Sequence, residues 1–195
     1  MAAPASNPDS CPFCTIAASF PPHPPSSPHA APAAPLDPPT HIILATPHVM
    51  AFLDIQPLTR GHVLVCPRAH KERLTDLTPA QSGGIGAWLP VVARAVVKVV
   101  GVGDFNVVQN NGVHAAQVVP HVHYHIIPRP SSEEREKLLA GAEGRWLLSR
   151  YGDGVRTELD DEEGAAVAVR IRGEVAREVA ASGPEGGVEG VVALL

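Results

Sequence analysis

Apolar residues begin to cluster at His41, in short runs over Ile42 to Ala45, Val49 to Leu53 and His62 to Cys66, each bounded by turns that carry Pro or Gly. Runs of this length, rich in Val, Ile and Leu and set between breakers, predict strands. The pattern then lengthens. Thr78-Pro79-Ala80-Gln81 supplies a capping hydroxyl, a proline at the first helical position and a Gln at the third, so a helix starts there. Apolar residues at helical spacing carry it towards Val100, with Pro90 expected to kink it or split it in two. Phe105 to Gln109 predicts a further strand, closed by the turn Asn110-Asn111-Gly112. Beyond Arg129 two more helices are expected, one opened by Ser131 or Ser132 and one by Asp160 with Glu163 three residues later. The Gly- and Glu-rich tail from Ser182 reads as mobile. Strands, one main helix and strands again make an α+β layer in which a helix covers one face of a mainly antiparallel sheet, with extra C-terminal helices.

The stretch that packing alone does not explain is His121-Val122-His123-Tyr124-His125, followed by Ile126, Ile127, Pro128 and Arg129. In an extended strand alternate side chains share a face, so three imidazoles would line a cleft while Val122, Tyr124 and Ile126 cover a core. Imidazole serves near neutral pH as nucleophile, general acid or base, and metal ligand. One metal held by all three is a poor fit, because the outer pair would be about 13 Å apart with parallel side chains. The three are therefore expected to have separate tasks.

Composition narrows the picture. A chain of 195 residues has room for one domain with a substantial core and some decoration. The formal charge of −5 argues against a generally basic nucleic-acid binder. Residues 20 to 40 hold nine prolines and read as an insertion loop, with His23 and His29 solvated within it. Three cysteines do not make a disulfide framework, and Cys66 reads as a small buried hydrophobe. Neither a basic leader with a long apolar run nor a stretch of 18 apolar residues occurs, so a soluble protein of the cytoplasm or nucleus is expected, with no membrane partner. A Walker A sequence is absent, and Gly101-Val102-Gly103-Asp104 lacks the third glycine of a dinucleotide fingerprint.

From Asp54 through Arg129 the sequence resembles the histidine triad (HIT) superfamily, whose signature is His-x-His-x-His followed by two apolar residues. His121, His123, His125, Ile126 and Ile127 match it, and the likeness runs back through Gln117, Asn110-Asn111-Gly112, Gly61-His62-Val63-Leu64-Val65 and Asp54. The resemblance implies a HIT fold over residues 1–130, interrupted by the 20–40 loop, and a helical extension over 131–195. It further implies a nucleotide hydrolase or transferase acting on an adenosine phosphoramidate or a dinucleoside polyphosphate. By that similarity His123 attacks the α-phosphorus and forms a nucleotidyl-histidine, His125 contacts the phosphate or leaving atom, and His62 supports the row. Asp54 would accept the ribose hydroxyls of a purine nucleotide. Asn110 and the backbone around Gln117, Val118 and Val119 would donate to phosphate. One departure stands out: relatives often carry Ser or Thr where this chain has Val118, so only the backbone could serve the leaving group there.

Cys11-Pro12-Phe13-Cys14 adds a second signal. Relatives with this pair join it to two histidines around a structural zinc, which here implies Cys11, Cys14, His70 and His121 as ligands. A redox dithiol and two unrelated thiols remain open readings of the residues alone. A homodimer is expected from the same resemblance, through the main helix and the adjoining strand. Two other classes stand beside the hydrolase: a non-catalytic nucleotide sensor that recruits partners, and an enzyme removing adenylate from DNA ends. The balanced charge of the C-terminal region disfavours a nucleic-acid partner.

Overall fold

The protein is described here from a computed structural model covering residues 8–26, 36–133 and 158–186. Five strands form one antiparallel sheet: β1 (Ile42–Ala45), β2 (Val49–Leu53), β3 (Val63–Pro67), β4 (Phe105–Gln109) and β5 (Tyr124–Pro128), in the order β1-β2-β3-β5-β4. Helix α1 (Pro12–Ser19) precedes the sheet, α2 (Pro79–Val100) lies between β3 and β4, and α3 (Asp161–Gly186) follows β5. The expected α+β architecture is present.

Alternation along the strands divides the interior in two. Val49, Ala51, Leu53, Val63, Val65 and Ile126 face α2 and α3, and with Ile85, Trp88, Val92 and Val96 of α2 they form the larger core. Met50, Phe52, Leu64 and Cys66 face the other way and meet Cys11, Phe13 and Ala17 of the α1 region. The sheet is thus covered on both faces, which is why β2 and β3 are buried at every position. Cys66 is fully buried, as expected of a small hydrophobe, and burial pushes its thiol well above the usual range.

Helix α2 begins as the sequence predicts. The Thr78 hydroxyl accepts the Gln81 N–H and the Gln81 side chain accepts the Thr78 N–H, while Gly101 closes the far end in the left-handed conformation at φ 76°. Pro90 does not split the helix. It lies on the exposed side, and the carbonyl it deprives of a partner, that of Gly86, also belongs to an exposed residue, so water can serve it. Although α2 is apolar and long enough to span a bilayer, nine of its residues are buried, eight of them in this core.

Helix α3 is capped by Asp160, whose Oδ1 accepts the Glu163 N–H at 3.1 Å. It adds Val167, Ala168, Ile171 and Val175 to the larger core, so it is integral to the packing. It also runs to Gly186, past the point where a mobile tail was expected, with the Ser182 hydroxyl bonded to the Glu178 carbonyl at 2.8 Å. The helix expected from Ser131 or Ser132 has helical backbone at residues 132 and 133 and otherwise lies outside the described residues, as does His29.

Candidate functional site

On the α1 face of the sheet lies a cavity of about 590 Å³, well within the size that holds a small ligand. Phe13, Ile16, Phe52 and Leu64 make an apolar wall. Asp54 and Gln56 line one side, Asn110, Ala116, Val118 and Val119 another, and His123 and His125 present their rings to the interior. Leu36, Asp37, Pro38 and Thr40, from the returning limb of the proline-rich loop, complete the lining.

The three histidines have three environments. The regular strand begins only at Tyr124, so His121 and His123 sit in the extended lead-in to β5. His123 is 5 % exposed, and its Nδ1 lies 2.6 Å from the His121 carbonyl. A carbonyl oxygen only accepts, so Nδ1 carries the proton and Nε2 keeps its lone pair. Burial lowers the His123 pKa, opposed by that carbonyl contact, and holds the ring neutral near pH 7.

His125 pairs with Leu64 across β3 and β5, and its Nδ1 is 3.0 Å from Nε2 of His62. His62 is fully buried, and its Nδ1 accepts the Leu58 N–H at 3.1 Å. That backbone donor fixes the His62 proton on Nε2, which donates to His125 Nδ1 and leaves an N–H on His125 Nε2. The Asp54 carboxylate, 3.5 Å from His62 Nδ1, accepts the Gln56 N–H at 2.8 Å.

His121 belongs to a different group. Its Nε2–H donates to the Pro67 carbonyl at 2.9 Å, which turns the Nδ1 lone pair towards Cys11 Sγ at 3.5 Å and Cys14 Sγ at 3.8 Å. His70 Nδ1 is 3.3 Å from Cys14 Sγ. In a tetrahedral sphere with metal–sulfur about 2.3 Å and metal–nitrogen about 2.1 Å, a nitrogen and a sulfur stand about 3.6 Å apart. The donor set fits a metal of that size, and all four ligand atoms lie within 4.8 Å of one another. Burial, then the neighbouring Cys11, pushes the Cys14 thiol up to about 11, and burial brings His121 down to about 4. Two adjacent thiolates need a cation to coexist, and a neutral imidazole is the form that ligates.

The sequence thus located most of what meets here: His123, His125, Asp54, Asn110, Val118 and Val119 on the cavity, His62 behind them, and the four donors beside it. Gln117, expected to offer its backbone, is not among the residues lining the cavity, and its N–H goes to the Gly112 carbonyl at 3.1 Å. Its side chain turns away from the cavity, accepting the Gly112 N–H at 2.6 Å and donating to the Glu72 carbonyl at 2.7 Å. A buried amide is satisfied by backbone, and here it braces the loop that carries Val118. Sequence reasoning missed Phe13, whose ring stands edge-on to both His121 and His123, and the Leu58 amide that sets the His62 tautomer. The aromatic held between two thiols was the available signal for Phe13; nothing local marked Leu58.

A five-stranded antiparallel sheet with an imidazole row opening on a nucleotide-sized cavity is the arrangement of the histidine triad class. The family profile described as HIT domain matches residues 36–132. An uncharacterized HIT-like protein of Methanocaldococcus jannaschii is 40% identical over 125 residues, covering 63% of this chain and 85% of that one. Adenosine 5'-monophosphoramidase hnt1 of Schizosaccharomyces pombe is 45% identical over 84 residues, 43% of this chain and 60% of its own. The asymmetrical bis(5'-nucleosyl)-tetraphosphatase of the same yeast is 33% identical over 123 residues, 63% of this chain and 59% of its own. These alignments span less than two thirds of either yeast enzyme. Among solved structures, a Zn-bound histidine triad family protein from Mycobacterium smegmatis superposes with a TM-score of 0.61 at 27% identity, over 90% of this chain and 99% of that one. The chain belongs to the HIT family.

Proposed function

We propose that the protein hydrolyses a purine nucleoside 5'-phosphoramidate or a dinucleoside polyphosphate at the α-phosphorus. The observation that carries this reading is the His123 Nδ1 bond to the His121 carbonyl at 2.6 Å, which presents an unprotonated Nε2 to the cavity. Nε2 attacks phosphorus, the bond to the leaving group breaks, and a nucleotidyl-histidine forms. Water then cleaves the phosphorus–nitrogen bond, giving the nucleoside monophosphate and restoring the ring. Asp54 receives the ribose hydroxyls, and Phe13, Ile16, Phe52 and Leu64 enclose the base. Asn110 and the backbone of Val118 and Val119 donate to the phosphate oxygens as charge develops. With valine at 118, the donor nearest the leaving group is the His125 Nε2–H.

Cys11, Cys14, His70 and His121 would hold zinc. With four protein ligands and no open position, its part is to tie α1 and the N-terminal segment to the catalytic stretch. A second copy of the chain is expected to pair along β4. That strand is a sheet edge with Phe105, Val107 and Val108 each more than a third exposed, and backbone pairing there would cover them.

The test is a hydrolysis panel of adenosine phosphoramidate, diadenosine triphosphate and diadenosine tetraphosphate, with metal content measured on the same preparation. Turnover of at least one, lost in His123→Ala while AMP still binds, supports the reading. Tight AMP binding by the wild-type chain without turnover or trapped covalent nucleotide would replace it with a nucleotide sensor.

A further inference from the structure

The segment from Asp54 to His62 has a functional side chain at each end, with the Asp54 carboxylate on the cavity and the His62 ring behind His125. It is irregular backbone, closed by Asp54 N–H to the His62 carbonyl at 3.0 Å and His62 N–H to the Thr59 carbonyl at 3.1 Å. The Thr59 hydroxyl ties it to the Pro128 carbonyl at 2.9 Å. Its outer side is gripped by the start of α3. Leu159 donates its N–H to the Ile55 carbonyl at 2.8 Å. Arg60 Nε lies 3.3 Å from Glu163 Oε1, with side chains only 11 % and 19 % exposed. Leu159, Glu163 and Val167 share a narrow crevice with Asp54, Arg60 and His62. The first turns of α3 therefore touch the back of a loop whose front faces the substrate, although α3 lies beyond residues 36–132 that carry the family match.

We propose that Glu163 and Arg60 are positioning residues for the nucleotide: through this ion pair α3 fixes the Asp54–His62 loop so that the Asp54 carboxylate meets the ribose hydroxyls. The inference rests on the preceding reading of Asp54. Its physical basis is that a guanidinium so withdrawn from water needs its counter-charge. Without Glu163 the Arg60 head loses that counter-charge, shifts, and draws the loop with it. Ile55, Leu58 and Thr59 keep their bonds to Leu159, His62 and Pro128, so the shift is small and centred on Arg60.

Binding of AMP and of 2',3'-dideoxy-AMP, measured by calorimetry, isolates the ribose contribution. Wild-type protein prefers AMP. In Glu163→Gln, which keeps the side-chain shape, and in Arg60→Gln, AMP binding weakens about fivefold, the loss expected when one charge-assisted hydrogen bond is disturbed, while dideoxy-AMP binding does not change. The exchange Arg60→Glu with Glu163→Arg recovers part of the preference. Glu178→Ala, which removes the contacts to Arg94 and Lys98 far along the same helix, leaves the preference intact. A wild-type preference in both single variants, or an equal loss in Glu178→Ala, overturns the positioning role and leaves the hydrolase reading standing. Failure of the wild-type chain to bind AMP sinks the nucleotide reading and this inference with it.

Discussion

Phe13 stands edge-on to His123, with ring centroids 5.3 Å apart and planes at 90°. The same ring contacts His121 and Phe52 and is separated by one residue at most from each cysteine of the N-terminal pair in sequence, so the donor cluster, helix α1 and His123 share one aromatic side chain. Replacing it by alanine should cost about 3 kcal/mol of stability, the usual loss for a buried phenylalanine. Phe13→Leu keeps most of the volume and should cost about 1.5 kcal/mol or less. AMP affinity should fall in the same order. Urea unfolding and calorimetry on the two variants check this, and equal stability of wild type and Phe13→Ala would refute the shared-ring account.

Stripping metal with a chelator should lower the melting temperature and loosen α1, with several kcal/mol at stake. Cys14→Ser should purify with substoichiometric zinc and reproduce the effect. Elemental analysis beside a thermal melt decides it. A wild-type protein free of bound metal and indifferent to chelation would leave the four donors without that role.

Two backbone positions should respond with opposite signs. Ala116, on the cavity wall, holds a left-handed conformation at φ 60°, so Ala116→Gly should stabilise by about 0.5–1 kcal/mol. Gly61 has φ 77°, and an added Cβ would come within 2.5 Å of Val100 Cγ2, so Gly61→Ala meets strain and a clash together and should lose about 2 kcal/mol or more. Denaturant midpoints of the two variants test the pair.

His41 predicts part of the pH dependence. The ring is 9% exposed, while its partner carboxylate on Asp161, 3.4 Å away, is 70% exposed, so desolvation outweighs the ion pair and lowers the His41 pKa below 6.5. Below 6.5 the unfolded chain then binds more protons at this site than the folded chain, and stability falls as pH drops towards the folded value. His41→Gln should unfold with a shallower decline between pH 7 and pH 5 than wild type. An identical decline would assign none of it to His41.

Elements whose signals are local were legible in the sequence. Thr78 and Gln81 announced the start of α2, Asp160 that of α3, and the breakers around Val49–Leu53 bounded β2. The separate surroundings of His121 and His123 followed from spacing and resemblance together. What escaped depends on how irregular backbone folds back on itself, which residue spacing does not give. Leu58 matters because His62 turns back onto it, and Gln117 faces inward because Glu72 and Gly112 wait there. Pro90 leaves α2 continuous because the penalty of a mid-helix proline depends on which side of the helix faces water, and a proline's presence in the sequence does not reveal that.

A fragment ending at residue 133 would retain every imidazole on the cavity and both thiols, yet it would lose Val167, Ala168, Ile171 and Val175 from above α2. The apolar ridge left bare on α2 and β1 would invite self-association, and a version trimmed after residue 133 should aggregate more readily than the full chain. The stretch matched by the family profile is narrower than the unit that folds.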